Sequence, residues 1–557
     1  MVETLVIAVI GLIAIAATTV VAPRLGIASP LALVGIGVAA SFLPAFSDFS
    51  IDPEWILLGV LPPLLYSSAV SMPGMNFRRE FGAISGLSVV LVVGTALALG
   101  LFFMVAIPDL GFAWGVALGA IISPTDAVAT SIVKKTSASK RVVAILDGES
   151  LLNDATALVL LRTAIAATAA SFSFWGAVGS FAYSIAIAVV VGLIVGAVNL
   201  AIRQRVTDPT VNTVISFTVP FLAAVPTELL GASGLVAAVV AGLLTGIRAP
   251  RELSPQNRLS DSQNWRTVEL VLEGAIFLTM GLQIKSVLTN VEDDHAGVGA
   301  AILVAVVALA LTILVRAVYV APLLAFLTAS ARRGERMQPR LEGMQSKIGT
   351  SEGTREALSE SGGRPRRAPT ERDLERFALR VTRVLADIDY FRGKPLGWRD
   401  GTAVVWAGMR GAVTVAAAQT LPLDTPQRSV LVLIAFAVAA LSLLVQGGTL
   451  GTLLRYLTPP VDQSLVASQT DDERRRIFDL LKASASSVVA PPAFDGEPTA
   501  AMFETTKAHR LAVIKAQRSA LLDARDNGTF DADVLEGILA NLDASQIDTE
   551  MRGTSPQ

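Results

Sequence analysis

Thirteen mostly apolar stretches run through the chain, at 2–22, 29–44, 54–71, 82–106, 112–133, 142–168, 174–202, 210–226, 231–247, 267–284, 297–328, 400–420 and 429–456. The longer ones reach the ~20 residues a helix needs to cross about 30 Å of hydrocarbon. Backbone polar groups find no water inside a bilayer, so segments of this length cross it as helices. With 52% hydrophobic and 17% charged residues and a mean hydropathy of +0.58, the expected fold class is an all-α polytopic membrane protein. It would have about 13 transmembrane helices, one per stretch. No positively charged region precedes the first stretch, which opens Met1-Val2-Glu3 and reads as a retained span rather than a cleaved signal peptide.

The loops between the stretches set an orientation. With the N-terminus outside, five short inner loops carry Arg24; Arg78 and Arg79; Lys134, Lys135, Lys140 and Arg141; Arg203 and Arg205; and Arg248, Arg251, Arg258 and Arg266. The outer loops hold only Lys285 and Arg428, a bias of thirteen to two that follows the positive-inside rule. The expectation is a multi-pass plasma-membrane protein with its N-terminus outside and its C-terminus cytoplasmic. It divides into spans one to eleven (1–329), a cytoplasmic linker (330–398), spans twelve and thirteen (399–458) and a cytoplasmic helical tail (459–557). The linker is expected to be disordered through Arg367. It then forms an amphipathic helix over Thr370–Tyr390, with Leu374, Phe377, Val381 and Leu385 on one face. Tail helices are expected at 471–484, 502–525 and 532–543, the last two separated by Asp526-Asn527-Gly528.

Some chemistries are excluded at once. There are no cysteines and only two histidines, which removes thiolate chemistry and leaves little for a His-based metal site or triad. A net charge of −2 argues against a nucleic-acid footprint. No constellation of nucleophile, base and orienter marks an enzyme.

What remains is a set of ionisable residues at membrane depth, where a carboxylate costs about 3 kcal/mol or more and survives along ion or proton paths. Asp126 lies in span five, in Ser123-Pro124-Thr125-Asp126-Ala127. Pro124 removes a backbone donor and breaks the helix there, and transporters use such breaks at ion sites. Span six carries Asp147, Glu149, Ser150, Asn153 and Asp154. Asp147, Ser150 and Asp154 share a face at i, i+3 and i+7, and Glu149 and Asn153 share its neighbour. Cationic partners are available in Arg316 of span eleven and Arg410 of span twelve. The residues alone do not assign the pairs. Span ten adds Glu273, a further intramembrane acid, and Glu269, which reads as solvated near the interface.

These residues resemble the monovalent cation:proton antiporter family that includes prokaryotic sodium/proton antiporters and animal sodium/proton exchangers. The strongest match is Gly148-Glu149-Ser150-Leu151-Leu152-Asn153-Asp154. It is joined by Pro124-Thr125-Asp126-Ala127-Val128-Ala129, Leu61-Pro62-Pro63-Leu64-Leu65, the Arg316 segment, Gly408-Met409-Arg410-Gly411-Ala412-Val413 and Val445-Gln446-Gly447-Gly448. The resemblance implies that Asp154 binds the ion and exchanges the proton, with Asn153 as its neutral neighbour. Thr125 and Ser150 would add oxygen ligands to the monovalent cation. Asp126 would balance the half-helix dipoles of span five, Glu149 would pair with Arg316, and Arg410 would lie in a second broken helix. It further implies two inverted repeats, spans one to six and eight to thirteen, with broken crossing helices in spans five and twelve. Pro124 announces the first break; only Gly408 and Gly411 suggest the second.

The implied function is exchange of sodium (or lithium) for protons by alternating access, electroneutral because Asn153 cannot titrate. A potassium/proton antiporter would use the same residues, and a cation channel is a more remote alternative. No cofactor is implied beyond the transported ions. The implied partners are the cation, the lipid bilayer and a second copy in a homodimer, with a regulatory ligand on the tail. Tail acids such as Asp523, Asp531, Asp533 and Glu536 are expected to dock on the basic loop Lys134–Arg141 and so tune transport.

Overall fold

The computed structural model describes residues 2–46, 52–136, 138–169, 174–293, 297–348, 350–360, 370–457, 463–491 and 500–552. Among these, regular structure is helical throughout apart from an isolated bridge between Ile348 and Thr350. The chain forms two compact units. One comprises Met1–Ala249, Leu259–Leu324 and Gly397–Pro459; the other comprises Pro250–Arg258, Ala325–Leu396 and Pro460–Gln557.

The first unit is built from α1 (Val2–Val21), α2 (Ser29–Ser41), α3 (Trp55–Ser71) and α4 (Gly74–Ala106). Then come the short α5 (Phe112–Ile122) and α6 (Val128–Lys134), followed by α7 (Lys140–Ala169), α8 (Phe174–Arg203), α9 (Pro209–Leu229) and α10 (Gly234–Glu252). Next are α11 (Pro255–Leu282), α12 (Ile284–Asp293) and α13 (Val298–Lys347), whose ends lie partly in the second unit, and α16 (Trp398–Trp406), α17 (Ala412–Gln419) and α18 (Arg428–Leu457). Nine of the described helices are long and apolar enough to cross a membrane, and the apolar α2, α3 and α5 are shorter. Each apolar stretch of the sequence lies on one of these helices or, for 112–133 and 400–420, on a pair of short ones. Leu5, Val105, Leu229 and Val318 are exposed, an apolar exterior that fits lipid and not water.

Local chemistry sets the helix limits. The Asp208 carboxylate caps α9 by accepting the amides of Thr210 and Val211 at 2.7 and 3.0 Å, with Pro209 in the first turn, where its missing N–H costs nothing. Inside the unit, Leu99, Phe103, Leu118, Ile121, Leu431 and Ile434 join one apolar core across α4, α5 and α18. Tyr66, Val219, Ala237 and Trp265 form a second core among α3, α9, α10 and α11. Two charged pairs are enclosed with them. Arg141 holds Glu80 through Nε–Oε1 at 2.6 Å and Nη2–Oε2 at 3.2 Å, and Arg203 lies 2.9 Å from Asp261.

The second unit departs from one expectation. The segment after residue 330 is not disordered up to residue 360: α13 runs on to Lys347, and α14 (Ser351–Glu360) follows. Met344, Ala357, Val381 and Leu385 form a small core that holds these turns against α15 (Glu371–Gly393). Residues 361–369, the Gly- and Arg-rich part of the linker, lie outside the described residues. α15 opens on a capping box in which Thr370 and Asp373 bond each other's backbone amides, at 3.1 and 3.4 Å. Bonds from the Thr370 hydroxyl and amide hold the Asp373 carboxyl below the usual carboxylate range.

The tail forms α19 (Gln463–Ser486), α20 (Ala500–Asn527) and α21 (Ala532–Met551), joined by Ile477, Leu521, Phe530 and Leu535. α20 stops where Gly528 turns left-handed at φ 74°. Two of the tail acids are paired inside this unit. Asp523 pairs with Arg251 at 2.9 Å and Asp531 with Lys394 at 2.7 Å, within this unit. Arg141 and Lys134 are paired inside the first unit, with Glu80 and Asp147. A charge count on a loop cannot reveal that a cation is already committed to a neighbour on its own helix bundle.

Candidate ion-binding site

The site is assembled where two helices break. α5 stops at Ile122, Pro124 forbids its continuation, and α6 resumes at Val128. α16 stops at Trp406 and α17 starts at Ala412, so the second break exists although no proline marks it. Its cause is close approach: a Cβ at Gly408 would lie 2.7 Å from Cδ and Nε of Arg316, and one at Gly411 would overlap the Asp126 carboxylate. The two unwound segments are joined through their backbones, with the Asp126 amide donating to the Met409 carbonyl at 2.8 Å.

Each break carries one compensating charge. Asp126 accepts the Val128 amide at 3.0 Å, satisfying an open donor at the start of α6. Arg410, buried in the other break, donates through Nε to the Ile122 carbonyl at the end of α5 (3.0 Å) and through Nη1 to the Gly408 carbonyl. A cation is well placed at helix C-termini, where carbonyls lack partners. Ser442 accepts the Arg410 amide at 2.7 Å and donates to Gln446 at 2.9 Å, while Gln446 donates to the Trp406 carbonyl at 3.1 Å. Gln446 was visible in sequence only as part of a motif, and Ser442 carried no signal.

α7 passes beside the crossing. Glu149 and Arg316, each 1% exposed, form a two-pronged ion pair at 2.5 and 2.7 Å, and Arg316 also donates to the Val404 carbonyl at 2.9 Å. Of the two arginines left open by the residues, Arg316 is the one bonded to Glu149. The Thr125 hydroxyl donates to Glu149 at 3.0 Å and accepts from the Asn153 amide at 2.7 Å; the same amide reaches the Thr125 carbonyl at 2.9 Å. Arg316, Glu149, Thr125 and Asn153 thus form one buried chain that ties α13, α7 and the unwound part of span five together.

In front of this chain lies a cavity of about 100 Å³ lined by Thr125, Asp126, Ser150, Asp154, Glu269 and Glu273, with Leu64, Leu65, Ile276 and Phe277 as apolar walls. Asp126 and Asp154 act on each other electrostatically across it. Asn153 is fully buried in the network behind. Glu269, read from sequence as solvated, lines the cavity because it sits one turn before Glu273 on the same face of α11. The Ser150 hydroxyl donates to the Asp147 carbonyl at 3.0 Å, which leaves its lone pairs available. Among the described residues no group of three or more His, Cys, Asp and Glu converges as a metal chelate.

Comparison with known proteins places these features in context. A profile of the family described as sodium/hydrogen exchanger, transmembrane, matches residues 9–355 and 376–456. The uncharacterized Na(+)/H(+) exchanger Rv2287 of Mycobacterium tuberculosis is 26% identical, over 98% of this chain and 97% of that one. The sodium, potassium, lithium and rubidium/H(+) antiporter of Bacillus subtilis is 29% identical, over 48% of this chain and 41% of its own length. The structure of the sodium proton antiporter MjNhaP1 from Methanocaldococcus jannaschii shares the fold, with a TM-score of 0.51 and 16% identity over 81% of this chain and 99% of that one.

Proposed function

Since the chain belongs to the sodium/hydrogen exchanger family, a family of transporters and not of enzymes, we propose that it exchanges sodium or lithium for protons at Asp154. One observation carries this reading: Asp154 lines a small cavity beside two broken helices whose open ends are already neutralised by Asp126 and Arg410. A hard monovalent cation wants several oxygen ligands. Asp154, Ser150 and the one remaining lone pair of the Thr125 hydroxyl supply them, and a proton competes for the same carboxylate. One carboxylate cannot usefully hold both, so exchange follows from competition combined with alternating exposure of the cavity to the two sides.

Asn153 carries no proton and is held in the network behind the cavity, which favours one proton per cation and hence electroneutral exchange. Asp126 and Arg410 stay as fixed charges of the crossing, Glu149 and Arg316 as its structural pair, and Glu273 as a further acid facing the ion. The two breaks correspond to one another in an inverted repeat, spans one to six and eight to thirteen. In the same reading the second unit is cytoplasmic, which the Lys/Arg bias of the loops supports, and the protein works as a homodimer in the plasma membrane.

The experiment is proton flux in reconstituted vesicles on addition of sodium, lithium or potassium. Sodium- or lithium-driven flux that is insensitive to clamping the membrane potential is expected. Absence of cation-driven flux in folded protein overturns the proposal, and current without coupled proton movement makes the protein a channel. A broader selectivity that includes potassium is the second reading. It is favoured by the similarity to the sodium, potassium, lithium and rubidium/H(+) antiporter of Bacillus subtilis, and equal flux with potassium would establish it.

A further inference from the structure

Near Glu269 of the ion cavity lies a lysine that the exchange reaction does not itself require. Lys134 is the last residue of α6, the half-helix that begins beside Asp126. Its ammonium lies 2.9 Å from the carboxylate of Asp147 on α7, with the two side chains 53% and 28% exposed. Asp147 stands two turns before Asp154 on the same face, with Ser150 between them. Glu269, which lines the cavity from α11 and bonds Ser67, lies within the field of Lys134, Arg266 and Asp147. Asp154, Glu273 and Glu269 therefore share one cavity, and Glu269 lies in the field of Asp147, whose carboxylate is held by the Lys134 ammonium.

We propose that Lys134 is an affinity-setting residue for the exchange: a built-in cation that neutralises Asp147 and Glu269 at the cavity mouth and so opposes entry of the transported cation. The inference rests on Asp154 being the exchange site. An incoming sodium ion meets the carboxylate of Asp147, which the ammonium occupies, and that of Glu269, which lies in its field. Removing the ammonium leaves the mouth one unit more negative and raises the local cation concentration. Lys134 does not touch Asp154 and has no part in the exchange step, so its effect falls on KM rather than on kcat.

Sodium-driven proton flux at fixed pH in vesicles tests this. Lys134→Gln is expected to lower the sodium KM about three- to fivefold at low ionic strength, with the difference fading as an impermeant salt is added. Asp147→Asn raises KM. Lys134→Arg stays near the parent value, and the double change Lys134→Gln with Asp147→Asn, which restores the net charge of the mouth, returns KM toward it. An unchanged or raised KM in Lys134→Gln overturns the inference, as does a lowered KM that persists at high ionic strength. Parent protein without any sodium-driven flux overturns the exchange reading and this inference together, whereas normal parent flux with an unmoved KM overturns this inference alone.

Discussion

Gly411 has no room for a side chain, because the Asp126 carboxylate fills the space its Cβ would take. This contact between the two unwound segments sets the depth at which they cross. The backbone bond from the Asp126 amide to Met409 fixes their register at 2.8 Å. Gly411→Ala must displace the carboxylate that satisfies the start of α6. It is expected to reduce cation-driven proton flux at least about tenfold, the scale of a small misplacement in a preorganised site, while the protein still folds. Flux assays beside thermal unfolding in detergent separate the two effects. Wild-type flux in Gly411→Ala shows that the crossing tolerates a looser fit.

Asp154→Asn tests the centre of the mechanism. The substituted side chain keeps its size and position on α7 but can neither release a proton nor hold a cation by charge. Exchange should vanish with sodium, lithium and potassium alike, and thermal stability should be retained. The neighbouring Asn153 cannot take over, because its amide carries no titratable proton and its Nδ2 is held by Thr125 at 2.7 and 2.9 Å. Residual saturable exchange in well-folded Asp154→Asn protein moves the exchange site to another acid of the cavity, Glu273 first.

Glu149 and Arg316 form a pair enclosed from solvent, with bonds of 2.5 and 2.7 Å. Removing one partner strands a buried charge, at a cost of about 3–5 kcal/mol. Glu149→Gln and Arg316→Ala are each expected to lower the unfolding temperature markedly, and the double change should lose clearly less than the sum. Simple additivity would mean that the Thr125 and Val404 bonds, not the ion pair, supply the stability.

Much of this architecture was readable before any coordinates, for physical reasons that differ from element to element. The apolar stretches map onto helices because a bilayer permits little else, and Asp154, Glu149 and Arg316 stood out because buried charge at membrane depth is costly. The second break was nearly silent. Its glycines are demanded by Arg316 and Asp126 from other helices, a tertiary requirement with no local pattern. Arg141 looked like one more loop cation, yet it is 3% exposed and bonded to Glu80. A charge beside a span reads the same whether it faces water or a partner. The extension of α13 to Lys347 was hidden by its polar composition, since the core that holds it, Met344 with Ala357, Val381 and Leu385, comes from three separate helices.

Asp543 is the charged centre of the second unit. It accepts Nη2 of Arg258 at 2.5 and 2.6 Å and Nη2 of Arg518 at 2.7 Å, so α21 is bonded to α20 and to the start of α11 through one carboxylate. All three side chains are at most 17% exposed, which shields the bonds from salt. Arg251 adds bonds to Asp523 and Asp526 at 2.9 and 2.7 Å. Asp543→Asn removes the charge that two arginines share and leaves them facing one another. The loss should be about 2 kcal/mol of local stability, in the range for hydrogen bonds to charged groups. Amide hydrogen exchange should then quicken in residues 250–258 and 532–551 and stay unchanged in α7 and α18. Transport should persist, because none of the residues lining the cavity belongs to this unit. Its dependence on pH should shift, because α11 carries both Arg258 and the cavity acids Glu269 and Glu273 along one continuous helix. An exchange pattern identical to the parent protein would show that Asp543 is not what holds α21 in place. An unmoved pH profile, with exchange quickened, would leave the tail as a separately folded element without influence on transport.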